Sequence, residues 1–150
     1  MKVIYLFIAS LWLSALTAQA DPLEWANGAW GIDVETVPDG LDAAQLDKLR
    51  GCDGSAVMIN TDRDTMRYQA IHTGEDDLKA KAPILDIGPQ WLSLRYDDET
   101  RLMKNGDLQI WHMFFVDEDT FYWVLGSGVS EDQREGIIPI ARVRCQTLIG

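Results

Sequence analysis

Two cysteines, two histidines and 24 Asp or Glu residues are the side chains of this 150-residue chain that could bind a metal, attack an electrophile or move a proton. Cys52 and Cys145 have neither a CxxC spacing nor an adjacent histidine. Those are the settings that lower a thiol's pKa and make it reactive. Strand alternation puts His72 and His112 on the more apolar face of their strands, with methionines in the surroundings. That environment could serve haem or a metal ion, but it suits a histidine hydrogen-bonded within a core more simply. The run Asn60-Thr61-Asp62-Arg63-Asp64 imitates the opening of a calcium loop. The sixth and twelfth positions of such a loop require Gly and Glu, and here they hold Thr65 and Ile71. The acidic clusters fall in turns, and none is embedded in an apolar run that would raise a carboxyl pKa, so no pair stands out for glycoside hydrolysis. Ser127, between Gly126 and Gly128, lacks the strand–elbow–helix context of a hydrolase nucleophile. No phosphate-cradling glycine loop or nucleotide fingerprint occurs. No cofactor is expected, and an enzyme is the weaker expectation.

The compartment decides what the cysteines do. Met1-Lys2 gives a positive start, residues 3–16 are almost wholly apolar, and Ala18-Gln19-Ala20 offers the small residues that a signal peptidase reads. The apolar run is shorter than the ~20 residues of a membrane span, and acidic, turn-rich sequence follows it with no basic stop-transfer flank. Residues 1–20 are therefore expected to be a signal peptide, and 21–150 a single exported domain, secreted or periplasmic. In an oxidising compartment an isolated pair of cysteines reads as one disulfide, here Cys52–Cys145. Loss of Lys2 with the leader takes the formal charge from -11 to -12. Such a surface repels phosphate backbones and anionic membranes, so neither nucleic acid nor membrane insertion is expected after processing. A basic protein partner remains compatible.

Beyond one helical stretch at 41–49, with Asp39 or Asp42 as N-cap and Gly51 as stop, the pattern is strand and turn. Strands are predicted at 28–36, 55–60, 65–73, 78–87, 91–96, 101–104, 107–116, 120–125 and 138–145, with a type I′ turn at Asn105-Gly106. Residues 126–136 form the one long polar loop. Short strands joined by short polar turns indicate an all-β antiparallel meander, closed as a barrel of about eight strands or folded as a sandwich, with one short helix.

The most aromatic passage runs from Leu108 to Leu125. If 117–120 is its loop, alternation places Ile110, His112, Phe114, Val116, Phe121, Trp123 and Leu125 on one face and Trp111, Met113, Phe115, Tyr122 and Val124 on the other. Both faces are apolar, where a strand with one wet face should alternate. Burial beneath another element, a partner interface and a ligand cavity each account for this. On 65–73 the same alternation groups Met66, Tyr68, Ala70 and His72.

Gly28-Ala29-Trp30 opens the first strand after the leader. This Gly-x-Trp, followed by a β meander and a late cysteine, resembles the lipocalins and the wider calycin group. The resemblance implies a barrel closed at one end by Trp30, with Arg142 or Arg144 of the last strand packed over the indole through a cation–π contact. It also supports binding of a small apolar ligand, and the two-sided apolarity of the hairpin makes His112, Phe114, Phe121 and Trp123 the expected ligand-binding face, with Tyr68 and His72 as polar contacts. The rival expectation is an acidic protein-binding module, such as an inhibitor of a basic hydrolase like lysozyme, in which the turns and the 126–136 loop make the contacts.

Overall fold

The computed structural model describes residues 19–46, 49, 51–53, 55–73 and 80–146. The expected leader, apart from Gln19 and Ala20, lies outside the described residues. The described residues open with a helix, α1 (Pro22–Ala26), in addition to the helix expected further on. Asp21 caps it, accepting from Leu23 N at 3.2 Å, and Pro22 occupies the first turn, where a missing N–H costs nothing. Its Leu23 and Ala26 are buried in the core. The expected helix at 41–49 shortens to α2 (Ala43–Leu46). Of the two candidate caps, Asp42 is the one used. Its Oδ1 accepts from Gln45 N at 2.8 Å while Gln45 Oε1 accepts from Asp42 N at 2.9 Å, a reciprocal capping box. α2 buries none of its side chains.

Nine strands follow the chain: β1 (Gly28–Ile32), β2 (Val57–Asp62), β3 (Arg67–His72), β4 (Ala80–Ile87), β5 (Trp91–Leu94), β6 (Trp111–Asp117), β7 (Thr120–Gly126), β8 (Arg134–Ile137) and β9 (Arg142–Arg144). β1 through β7 pair antiparallel in sequence order, β9 returns to β1, and β7 meets β9 through its first residues and β8 through its last. β8 and β9 thus share one stave, broken at Pro139, and the sheet closes as an eight-stranded antiparallel barrel. The predicted first strand is shorter, because Asp33 caps a 3-10 turn at Val34–Thr36. The last three residues of the predicted 126–136 loop belong to β8, and its first, Gly126, to β7.

The predicted strand 101–104 does not form. Leu102 and Leu108 make one isolated bridge. Gly106 has φ +88° but Asn105 does not have a positive φ, so the connection is not type I′. Met103 N instead donates to Asp107 O and Gly106 N to Met103 O, giving a turn completed by a left-handed glycine.

The aromatic hairpin takes a different register from the one predicted. Asp117 pairs with Thr120 across a two-residue turn, and a bulge between Phe115 and Asp117 leaves Val116 unpaired. Phe115 therefore faces Phe121, Met113 faces Trp123 and His112 faces Val124. A one-residue slip exchanges the two faces of a strand. The interior consequently receives Trp111, Met113, Phe115, Phe121 and Trp123, while His112, Phe114 and Tyr122 point outward. Eight rings form one edge-to-face and tilted cluster through the barrel, from Trp25 and Trp30 through Phe115, Phe121, Trp123, Trp111 and Tyr96 to Tyr68, with neighbouring centroids 4.9–6.3 Å apart.

Cys52 and Cys145 are bridged, with Cα atoms 5.3 Å apart and a sequence separation of 93. Gly31 permits this approach, since a Cβ there would lie 2.8 Å from Cys52 Sγ and 2.7 Å from Cys52 N. Among the described residues no helix is long and apolar enough to cross a membrane.

Candidate ligand cavity

Alternation along the staves brings one set of side chains inward: Trp30 and Ile32 from β1, Val57 and Ile59 from β2, Tyr68, Ala70 and His72 from β3, Phe121 and Trp123 from β7. The register holds them level, with Trp30 opposite Val57, Val57 opposite His72 and Ile59 opposite Ala70. Ala70 also faces Ala80 of β4. Two methyl groups where a filled core would carry Val or Leu leave space, and a cavity of about 240 Å³ opens there. Tyr96, Leu49 and Arg142 complete its wall. Pockets for drug-sized ligands measure ~300–1,000 Å³, so an occupant here is smaller, such as a single ring or a medium-length alkyl chain.

Trp30 stands between this cavity and α1, whose Leu23 and Ala26 are buried in the same core. Its ring lines the cavity while its indole N–H donates to Ala26 O of α1 at 2.9 Å. On its other side the Arg144 guanidinium carbon sits 4.5 Å from the ring centroid. Of the two arginines the resemblance offered, Arg144 is therefore the one that closes the barrel, because β9 pairs Arg144 directly with Trp30. Arg144 also donates to Trp25 O, Asn27 O, Glu118 O and Asp119 Oδ1, joining α1 to the β6–β7 turn. Gly28, at φ +131°, gives that guanidinium room, for a Cβ there would lie 2.8 Å from Arg144 Nη1. Arg142, two residues earlier, faces the cavity instead.

The polar groups on the wall are Arg142, His72, Tyr68 and Tyr96. Burial pushes the Tyr68 phenol well above its ordinary range, and the neighbouring Tyr96 adds to the effect. Burial likewise pushes Tyr96 up to about 12. Both remain neutral hydroxyls able to donate. Burial lowers the Arg142 pKa, while Tyr96 and Tyr68 act the other way.

Above Trp123 a second network fixes Trp111. Glu99, its side chain 1% exposed, accepts from Arg101 Nε at 2.6 Å, Arg101 Nη2 at 2.8 Å and Trp111 Nε1 at 2.7 Å. Arg101 also lies over the Trp111 ring at 4.5 Å. Burial would raise the Glu99 carboxyl, but the hydrogen bonds from the Arg101 side chain and backbone and from Trp111 outweigh it and hold the group at about 2. A depressed carboxyl contributes stability that is present above its unfolded value, ~4.3, and is lost as pH falls toward the folded one. Glu99→Gln, which removes that titration, is expected to lower stability at pH 7 by about 1–3 kcal/mol. It should also lose less stability than wild type between pH 4.3 and 2, read as urea midpoints at each pH. Parallel acid profiles for the two proteins would contradict the ionised, bonded carboxylate.

Of the residues expected to bind ligand, Tyr68, His72, Phe121 and Trp123 line the cavity, and His112 and Phe114 do not. The hairpin bulge is the reason, since it turns both of them to the outer face. His112 Nε2 lies 2.9 Å from Gly126 O, which can only accept, so Nε2 carries the proton and Nδ1 accepts from Ser93 Oγ at 2.6 Å. Ser93 and His112, opposite each other on β5 and β6, are 4% and 2% exposed. Both side chains also line a second cavity, of about 320 Å³, together with Asp86, Trp91 and Ser130. Sequence reasoning missed Ile32, Leu49, Tyr96 and the inward turn of Arg142. Period-2 alternation from Trp30 would have found Ile32, whereas Leu49 and Tyr96 stand outside regular strands. The closed barrel and the Trp30–Arg144 stack are consistent with a lipocalin-like fold. In comparisons with known proteins the chain matches no family model, no curated sequence and no solved structure.

Proposed function

We propose that this chain is an exported binding protein whose barrel interior holds one small, mainly apolar molecule, with no chemical step. The observation that carries the reading is the cavity between Ala70, Ala80 and the Trp30–Phe121–Trp123 rings. An eight-stranded barrel can fill its interior with side chains, and here alanines stand where larger residues would close the gap. Tyr68, His72, Phe121 and Trp123 form the contact surface, and Trp123 and Trp30 supply a fluorescence signal. Export is supported by the leader-like start of the sequence and by the Cys52–Cys145 bridge. Titrating 1-octanol into the purified, disulfide-intact protein should give saturable, one-to-one binding with a change in tryptophan emission. Absence of uptake at concentrations approaching octanol's solubility would overturn the reading.

A further inference from the structure

Resting on the cavity reading above, we propose that the bound molecule is an amphipathic carboxylate whose head group pairs with the Arg142 guanidinium beside the Tyr68 and Tyr96 hydroxyls, its hydrocarbon lying against Phe121 and Trp123. Arg142 is half-buried and lines the cavity. Among the described residues its guanidinium makes one hydrogen bond, from Nη1 to Ile140 O at 2.7 Å. No carboxylate lies within ion-pair distance of it among the described residues. The contrast with its neighbour is sharp, because Arg144 on the same strand has Asp119 at 2.8 Å. The shortage is not one of acids, since the chain carries 24 Asp and Glu against 13 Lys and Arg.

A cation partly withdrawn from water without a counter-ion is disfavoured, and charges taken further inside are ordinarily paired. Guanidinium cannot escape by losing its proton. An anion arriving in the cavity would supply the missing partner, and the planar fork of Arg matches the two oxygens of a carboxylate. The phenols suit the same ligand. Both stay protonated and hydrogen-bond to each other, so the pair can donate its remaining O–H to a carboxylate oxygen while adding no charge that would repel it. Apart from His72, the rest of the wall, with Ile32, Val57, Phe121 and Trp123 in it, is apolar. The negative surface of the protein then acts on rate rather than fit, since it opposes the approach of an anion, and added salt should speed capture by screening.

Octanoate, 1-octanol and octylamine share one chain and differ in head group, so their ratio isolates the contribution of Arg142. By calorimetry on the disulfide-intact protein at pH 7.5, octanoate should bind about 10–100-fold more tightly than octanol, the factor expected of hydrogen bonds to a charged group. Octylamine should bind more weakly than octanol. Arg142→Gln should bring the octanoate-to-octanol ratio close to one, and Tyr68→Phe, which keeps the ring, should reduce it several-fold. The wild-type ratio needs no variant to fold. Octanoate no tighter than octanol in wild type, or a preference undiminished in Arg142→Gln, overturns the carboxylate assignment and leaves the cavity intact. Failure of octanol and octanoate alike overturns the cavity reading itself.

Discussion

Replacing Trp30 with alanine is expected to lower the stability of the barrel by about 3–5 kcal/mol, the range for deleting a fully buried aromatic side chain. Trp30 is 1% exposed and touches Phe121 and Phe115 at centroid distances of 4.9 and 6.2 Å. Its loss removes that packing, leaves Ala26 O without its indole donor and takes the stacking surface from Arg144. It also joins the vacated volume to the cavity already present, so the surroundings cannot close over the gap. Trp30→Phe separates the terms. It keeps a ring against Phe121 and loses the N–H, and should cost about 1–2 kcal/mol. Urea unfolding followed by far-ultraviolet circular dichroism reads both variants. A Trp30→Ala midpoint within error of wild type would mean that the indole does not close the barrel.

Cutting the bridge should have an effect of similar size for a different reason. The chain-entropy model assigns ~4.7 kcal/mol to a disulfide closing about 100 residues, and native bridges in small exported domains are worth about 2–5 kcal/mol. Cys52–Cys145 spans 93 positions and ties the segment after α2 to the last strand. The double variant Cys52→Ser, Cys145→Ser is therefore expected to unfold about 2–5 kcal/mol more easily. A second consequence is local. Leu49 forms part of the cavity wall three residues before Cys52. Releasing that segment should weaken octanol binding even at temperatures where the barrel is fully folded. Equal urea midpoints with and without reductant would contradict the expected contribution to stability, and unchanged octanol affinity in the reduced protein would contradict the local one.

How far the sequence could be read depended on whether its pattern discriminated between alternatives. Steady alternation with polar turns made the meander legible, and Gly28-Ala29-Trp30 pointed to the indole that stands between the cavity and α1. The isolated cysteines were legible once export was read from the first twenty residues. Asp21-Pro22 is an ordinary helix-start signal, hidden by its place directly after the expected cleavage point. The hairpin register was not legible. Both faces of β6 and β7 are apolar, so the alternation that normally fixes register carried no preference, and nothing in the residue types marked Val116 as the bulged position. That single slip misplaced His112 and Phe114 and hid the pairing of Phe115 with Phe121. Arg142 and Arg144 share a face by period 2, and only the β1–β9 register shows which one reaches Trp30. The cavity itself depends on Ala70 standing opposite Ala80, a long-range pairing visible only once the barrel is assembled.

The decisive measurement is a map of amide chemical-shift changes as 1-octanol is added to the isotope-labelled, disulfide-intact protein. If the barrel interior is the binding site, the largest shifts fall on Val57, Ile59, Tyr68, Ala70, His72, Phe121, Trp123 and Arg142 and on the indole N–H of Trp123, saturating at one equivalent, while Phe114, Val116 and Ile137 on the outer face stay still. Shifts concentrated at Phe114, Val116 and Ile137, or none that saturate, would contradict an interior site.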